Sequence, residues 1–259
     1  MQLKILSLNC QRGYHSHLPL REFLRDVFER GDYDFIILQE FAKDVPSFVR
    51  GVGPYNLLEA HDDQVGEYAQ LCVAFRQGYE LAASDFTAFA TKKPDPIVGV
   101  VHSTFGFLCG RFSKADKVYV VGSVHLHAGV FRSTRREQMR IIKRQLLELS
   151  RPEDMVVFGG DCNLGPFEHN GMARLLAPEF VWATGKIPST LNGWYSENVA
   201  RLPNRIGAFL RFFGIPVRLW TDQVFVDAKT ALNSVTQSRV LPDRVSDHSP
   251  VEVSIESNE

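Results

Sequence analysis

Asp161 and Asn163 close the stretch Val156-Val157-Phe158-Gly159-Gly160-Asp161-Cys162-Asn163 and offer one ligand both a carboxylate and a carboxamide. The three apolar residues predict a strand covered on both faces. Gly-Gly predicts that this strand stops there, where the backbone bends or a ligand approaches closely. Residues two apart on extended backbone share a face. The acid can take a proton or coordinate a cation, and the amide can donate to an anionic oxygen, a pairing suited to phosphate chemistry. Gly-Asp-x-Asn is equally able to form a tight turn with an Asx cap, so the neighbours must decide.

Other polar side chains also fall at predicted strand termini. Leu3-Lys4-Ile5-Leu6-Ser7-Leu8 alternates as a strand and ends at Asn9. Asp34-Phe35-Ile36-Ile37-Leu38 finishes in Gln39 and Glu40, and Glu40 is either a second site carboxylate or an exposed loop residue. Lys117 to His127 ends in His125-Leu126-His127, whose imidazoles share one side of a strand as metal ligands do. No third His or Cys lies nearby in sequence, which favours one catalytic His over a zinc pair. Asp222 opens the strand Thr221 to Val226, and Ser246-Asp247-His248-Ser249-Pro250 leads into the last strand. An adjacent Asp and His supply a ligand or base beside a charge-stabilising imidazole.

The elements that must position these groups are legible by period. Leu20, Phe23, Leu24, Val27 and Phe28 predict a helix stopped by Gly31. Gln70 to Phe75, Glu80 to Ala83 and Ile97 to Val101 read as neighbouring strands in antiparallel hairpins. Thr134 with Glu137 predicts a capping box for a helix that buries Met139, Ile142, Leu146 and Leu149. Its outer face then carries Arg135, Arg136, Arg140, Lys143 and Arg144 as a solvated run. A further helix is expected around Met172 to Leu176. Asn198 to Thr221 contains no acid, and its Arg201, Arg205, Arg211 and Arg218 alternate with Phe209, Phe212, Phe213 and Trp220. Such a segment either binds phosphate and stacks on bases or packs with snorkelling arginines.

Composition bounds the rest. The 259 residues are 44% hydrophobic and 23% charged, enough for a substantial core. Lys+Arg 29 against Asp+Glu 30 excludes a whole-molecule positive field, so any basic site is local. The four cysteines, Cys10, Cys72, Cys109 and Cys162, are far apart without Cys-x-x-Cys spacing, which predicts free thiols in a reducing compartment. No leader and no transmembrane-length apolar run is seen, so the expected location is cytoplasmic. With no repeat, low-complexity stretch or linker, residues 1–259 are expected to form a single domain.

Taken in order, Leu-Asn, Leu-Gln-Glu, His-Leu, Gly-Asp-x-Asn, Asp-x-Val-Phe and Ser-Asp-His-Ser-Pro resemble the endonuclease/exonuclease/phosphatase superfamily with the DNase-I-like fold. The resemblance spans nearly the whole chain. It implies an α/β (α+β) fold, a four-layer αββα sandwich of two related halves with mostly antiparallel central sheets. It also implies a Mg²⁺- or Mn²⁺-dependent phosphoesterase, most simply a phosphodiesterase or nuclease using in-line attack by water. By position, Glu40 resembles the principal metal ligand, with Asn9 and Asp247 nearby. Asp161 resembles the group that orients or deprotonates the water, and Asn163 a phosphate donor. Asp222 would hold His248, and His125 would be a second donor to phosphoryl oxygens. Arg205 and Arg211 are the candidate substrate contacts, for nucleic acid or for a lipid headgroup. Sphingomyelinase-like or inositol-phosphatase-like hydrolysis is the alternative, and a non-catalytic binding module the third. The opening Ser7-Leu8-Asn9-Cys10-Gln11 departs from the Trp-Asn-x-Asn-Gly of apurinic endonucleases. Gly-Asp-x-Asn-Leu followed by Glu168 is similar to the tyrosyl-DNA phosphodiesterase branch, which usually has Arg where this chain has Thr221.

Overall fold

Alternation along Gln2–Asn9 (β1) sends Leu3 and Ile5 into one apolar cluster and Leu6 and Leu8 into another. A strand apolar on both sides must be covered on both. Phe35–Gln39 (β2) repeats the pattern, with Phe35 and Ile37 on one side and Ile36 and Leu38 on the other. These strands pair in parallel, which requires a crossover, and Leu18–Arg30 (α1) supplies it. Leu20, Leu24, Val27 and Phe28 form its buried stripe, and Gly31 ends it at φ 65°. The structure is a computed structural model that describes residues 2–10, 18–41, 49–60, 71–89, 105–127, 132–164, 168–184, 220–242, 245–246 and 248–257.

The first sheet is completed by Tyr55–Ala60 (β3), Leu71–Arg76 (β4), Ser234–Val240 (β11) and Val251–Ser257 (β12), in the order β11-β12-β1-β2-β4-β3. The second comprises Glu80–Phe89 (β5), Phe105–Lys114 (β6), Lys117–His125 (β7), Met155–Leu164 (β8), Phe180–Trp182 (β9) and Trp220–Asp227 (β10), ordered β5-β6-β7-β8-β10-β9. Each has one parallel pair at its centre, β1–β2 or β7–β8, and antiparallel pairs elsewhere. Arg132–Leu149 (α2) is the crossover of the second pair.

Three apolar clusters separate four layers. Phe35, Ile37, Phe112, Tyr119, Val121, Val157, Val224 and Val253 fill the space between the sheets. The stripe of α1 covers the outer face of the first sheet. Met139, Ile142 and Leu146 of α2, with Met172 and Leu176 of His169–Leu176 (α3), cover the second. The expected αββα sandwich with mostly antiparallel sheets is the fold observed. Among the described residues no helix is long and apolar enough to cross a membrane, and all four cysteines are free and buried.

Four local expectations need correction. Gln70 to Phe75 and Glu80 to Ala83 do not form a hairpin, because β4 and β5 lie in different sheets and the turn between them, with Gly78 at φ 96°, carries the chain across. The strand through Val156 does not stop at Gly159-Gly160 but continues to Leu164. Those glycines admit neighbours instead: a Cβ would lie 2.4 Å from the Gln223 carbonyl oxygen at Gly159 and 2.3 Å from the Val124 carbonyl oxygen at Gly160. Thr134 is not an N-cap, since α2 already begins at Arg132. Arg135 is not on a solvated face: it is buried, whereas Leu149 at the helix end is only partly so. Ile97 to Val101 lies outside the described residues.

Candidate active site

Because β1–β2 and β7–β8 are parallel, their carboxyl ends emerge at one edge of each sheet, and the two sheets stack with those edges together. β1 ends in Asn9, and Cys10 N–H donates to the Gln39 carbonyl at 2.8 Å, fastening that end to β2. Glu40 follows β2 at φ 48°, a left-handed conformation that non-glycine residues adopt at a cost and that recurs at functional sites. On the second sheet Asp161 is in register with His125 on one side and Asp222 on the other. Topology alone therefore delivers five polar residues to one place.

Asp161 Oδ2 is the focus. It accepts from Asn9 Nδ2 at 2.9 Å, and His125 Nε2 lies 3.6 Å and His248 Nε2 3.9 Å away. Asn9 Nδ2 also donates to Glu40 Oε1 at 3.4 Å, and His125 Nε2 is 3.7 Å from the same oxygen. On its other side His248 meets Asp222, with Nδ1 2.7 Å from Oδ2. The loop carrying His248 is hooked onto β1: His248 N–H donates to Ser246 Oγ at 3.0 Å, and that hydroxyl donates to the Asn9 carbonyl at 2.7 Å. Burial pushes the Asp161 carboxyl up to about 7; His248 pulls it down, Asp222 and Glu40 push it further up, and the Asn163 N–H lowers it. Proton transfer near neutrality suits a group so placed.

Gly-Asp-x-Asn proves to be both of its readings. Asp161 Oδ1 accepts from the Asn163 backbone N–H at 3.0 Å, which is an Asx turn, while Oδ2 faces the cluster. Asn163 sits at φ 47°, tolerated by asparagine, and its Nδ2 donates to the Leu126 carbonyl at 2.8 Å.

Glu40, His125 and Asp161 each place a ligand atom within 4.8 Å of the others. Two carboxylates converging on one amide donor repel each other, and a cation would relieve that more fully than Asn9 Nδ2 does. Carboxylate and amide oxygens are hard donors that fit Mg²⁺ or Mn²⁺. Of the sequence-derived set Glu40, Asn9 and Asp247, the first two meet at this cluster with His125 and Asp161 beside them, while Asp247 lies outside the described residues, as do Arg205 and Arg211.

Sequence reasoning missed three supports. Thr221 Oγ1 donates to Asp222 Oδ2 at 3.0 Å and lies 3.4 Å from His248 Nδ1. Ser246 was read only as part of a motif. Arg135 pairs with buried Glu168 through Nη2 at 2.6 Å and Nε at 3.2 Å, and its Nη1 donates to the His127 carbonyl at 3.0 Å. Gln138 Oε1 accepts from His127 N–H at 3.0 Å, so α2 grips Leu126-His127 from behind. The signal was present: Arg135, Gln138, Met139, Ile142, Gln145 and Leu146 follow a helical stripe.

A cavity of about 580 Å³ opens elsewhere, lined by Leu3, Tyr119, Met155, Lys229 and Ile255. Its lining shares no residue with the Asp161 cluster, so chemistry and not volume identifies the site.

Residues 6–248 match the Endonuclease/Exonuclease/phosphatase family. The chain belongs to that family. No curated protein matches it by sequence. Among solved structures, zebrafish (D. rerio) TDP2 complexed with a single-strand DNA product is similar over 99% of both chains, with TM-score 0.75 and 16% identity. C. elegans TDP2 is similar over 99% of this chain and 76% of its own, with TM-score 0.74 and 14% identity. An endonuclease/exonuclease/phosphatase family protein from Bacteroides thetaiotaomicron is similar over 100% and 99%, with TM-score 0.70 and 16% identity. At such identities the likeness is one of fold, and the family membership rests on the sequence match.

Proposed function

We propose that this family member is a Mg²⁺- or Mn²⁺-dependent phosphodiesterase that hydrolyses nucleic acid. The observation that carries the proposal is the convergence on Asp161 Oδ2 of Asn9, His125 and His248, with Glu40 across from them. Asp161 orients the attacking water and takes its proton. The Asp222 carboxylate at Nδ1 fixes the proton there and leaves His248 Nε2 facing the site, where the imidazolium stabilises charge on phosphoryl oxygens. His125 donates to the same oxygens. Asn163 has two amide hydrogens; one is engaged by Leu126 and the other serves the phosphate. Glu40, with Asn9 and Asp247 nearby, would hold a hard cation, which would neutralise developing negative charge.

Fold similarity to a TDP2 that holds a single-strand DNA product favours nucleic acid over a lipid headgroup. Arg205 and Arg211 are assigned to the polymer backbone, whose contacts release counterions. The chain is taken as one domain, 1–259, working in the cytoplasm, where its free buried cysteines stay reduced. The test is a substrate panel of bis-p-nitrophenyl phosphate, p-nitrophenyl phosphate, single- and double-stranded DNA, RNA and sphingomyelin with Mg²⁺ or Mn²⁺. Preference for DNA or RNA is expected. Preference for sphingomyelin or for the monoester overturns the proposed substrate class.

A further inference from the structure

Just beneath the site the inter-sheet face changes from apolar to polar. Leu3 and Ile5 on β1, Phe35 and Ile37 on β2, and Tyr119 and Val121 on β7 belong to the inter-sheet cluster. Alternation continues those faces into Ser7, Gln39 and Ser123, each 0% exposed. Ser7 and Ser123 lie two residues before Asn9 and His125, and Gln39 lies one before Glu40.

Gln39 joins the two sheets there. Its Nε2 donates to Ser123 Oγ at 3.1 Å, and that hydroxyl donates back to the Leu38 carbonyl at 3.0 Å. Its amide also lies over the Gly160 backbone: a Cβ on Gly160 would come within 2.7 Å of Gln39 Nε2 and 2.8 Å of its Cδ. The Gln39 carbonyl accepts from Cys10 N–H at 2.8 Å. One residue thus touches β1 beside Asn9, β7 two residues before His125 and β8 beside Asp161, while its own successor is Glu40. The contacts that cross between sheets at the site, Asn9 to Asp161 at 2.9 Å and His125 to Glu40 at 3.7 Å, depend on a spacing that this side chain spans.

The same side chain is a poor choice for stability. Among the described residues, buried Gln39 Oε1 has no hydrogen-bond partner, and neither has Ser7 Oγ on the neighbouring strand. An unmet buried acceptor is costly, and an apolar residue of equal length avoids that cost. Residues that violate a packing rule without local compensation concentrate where function needs them.

We propose that Gln39 is a positioning residue whose amide sets the distance and register between the Glu40 half and the Asp161 half of the site. This rests on the proposed metal-dependent hydrolysis. Gln39→Met keeps the length and removes the amide. In that variant Tm, measured in chelator, stays equal to or above the unsubstituted protein. At the same time kcat for bis-p-nitrophenyl phosphate falls by about ten-fold or more, the scale of a small misplacement, with KM little changed. Mn²⁺ affinity, read by electron paramagnetic resonance, weakens. Ser7→Ala, which removes the neighbouring buried hydroxyl but no inter-sheet bond, keeps both Tm and kcat. Ser123→Ala added to Gln39→Met lowers kcat no further, as expected of two ends of one interaction. Unchanged kcat and Mn²⁺ affinity in Gln39→Met overturns the proposal, and so does a fall in kcat that merely tracks a fall in Tm. If the unsubstituted protein cleaves no diester, the hydrolysis reading fails, and the Mn²⁺ affinity of the variant still decides the role of Gln39.

Discussion

The two sheets share a plan, β11-β12-β1-β2-β4-β3 against β5-β6-β7-β8-β10-β9, yet corresponding strand ends carry different chemistry. Asn9 closes β1 where His125 closes β7; Glu40 follows β2 where Asp161 lies near the end of β8; and β4 opens on Leu71 where β10 opens on Trp220-Thr221-Asp222. Carboxyl ends of parallel strands are where open sheets bind ligands, and stacking two such sheets doubles the donors at one spot. The supports differ as well. The crossover helix of the first sheet carries ion pairs such as Arg25–Glu29 on its exposed side, whereas that of the second buries Arg135 against Glu168. The half to which the proposed mechanism assigns the proton is thus the half backed by a buried ion pair.

Removing the acidic partner of one arginine on each crossover helix should expose that asymmetry most strongly. Glu168→Leu takes the buried carboxylate from Arg135, and urea unfolding should show a loss of ~3–5 kcal/mol. Glu29→Gln on the first helix should cost less than about 1 kcal/mol, because exposed pairs contribute little. Equal losses from the two would remove the distinction between the halves.

A smaller effect in energy, but a specific one, is expected where the halves meet. If the imidazole serves charge stabilisation as proposed, His248→Ala should lower kcat at least about 10²-fold while Tm stays near native. A Tm that fell in step with kcat would instead make the Asp222–His248 contact a structural clasp between the sheets.

A further effect concerns pH. Burial raises the Asp161 carboxyl to about 7, above the unfolded value of about 3.9. Between those values the unfolded chain has released a proton that the folded chain retains, so this group's stabilisation is present at low pH and lost as pH rises through the window. In chelator, Tm should therefore decline between about pH 4 and about pH 7 more steeply than in Asp161→Asn, and Mg²⁺ should flatten the decline. Identical pH profiles for the two proteins would show that Asp161 does not carry the shift.

Much of this was legible in sequence because strand-end polar residues and apolar alternation are local signals. Asn9, Glu40, His125, Asp161 and His248 needed only their neighbours to stand out. Arg135 was misread because five basic residues on one helix look like a solvated face, although its spacing from Met139 and Ile142 marks the buried stripe. The β4–β5 hairpin failed because adjacency in sequence favours pairing, and nothing local announces a crossing between sheets. Gly159-Gly160 reads locally as a break, yet the two glycines admit Gln223, Val124 and Gln39, which lie far off in sequence. The same distance hid Ser123 as the partner of Gln39.

The most direct test is hydrolysis of bis-p-nitrophenyl phosphate by the unsubstituted protein and by Asp161→Asn, each in Mg²⁺ and in EDTA, with Tm measured alongside. Turnover should appear only for the unsubstituted protein in Mg²⁺, be abolished by EDTA and restored by fresh Mg²⁺, and fall at least about 10²-fold in Asp161→Asn without loss of Tm. Full turnover in EDTA, or near-native kcat in Asp161→Asn, would contradict a metal-dependent site centred on that carboxylate.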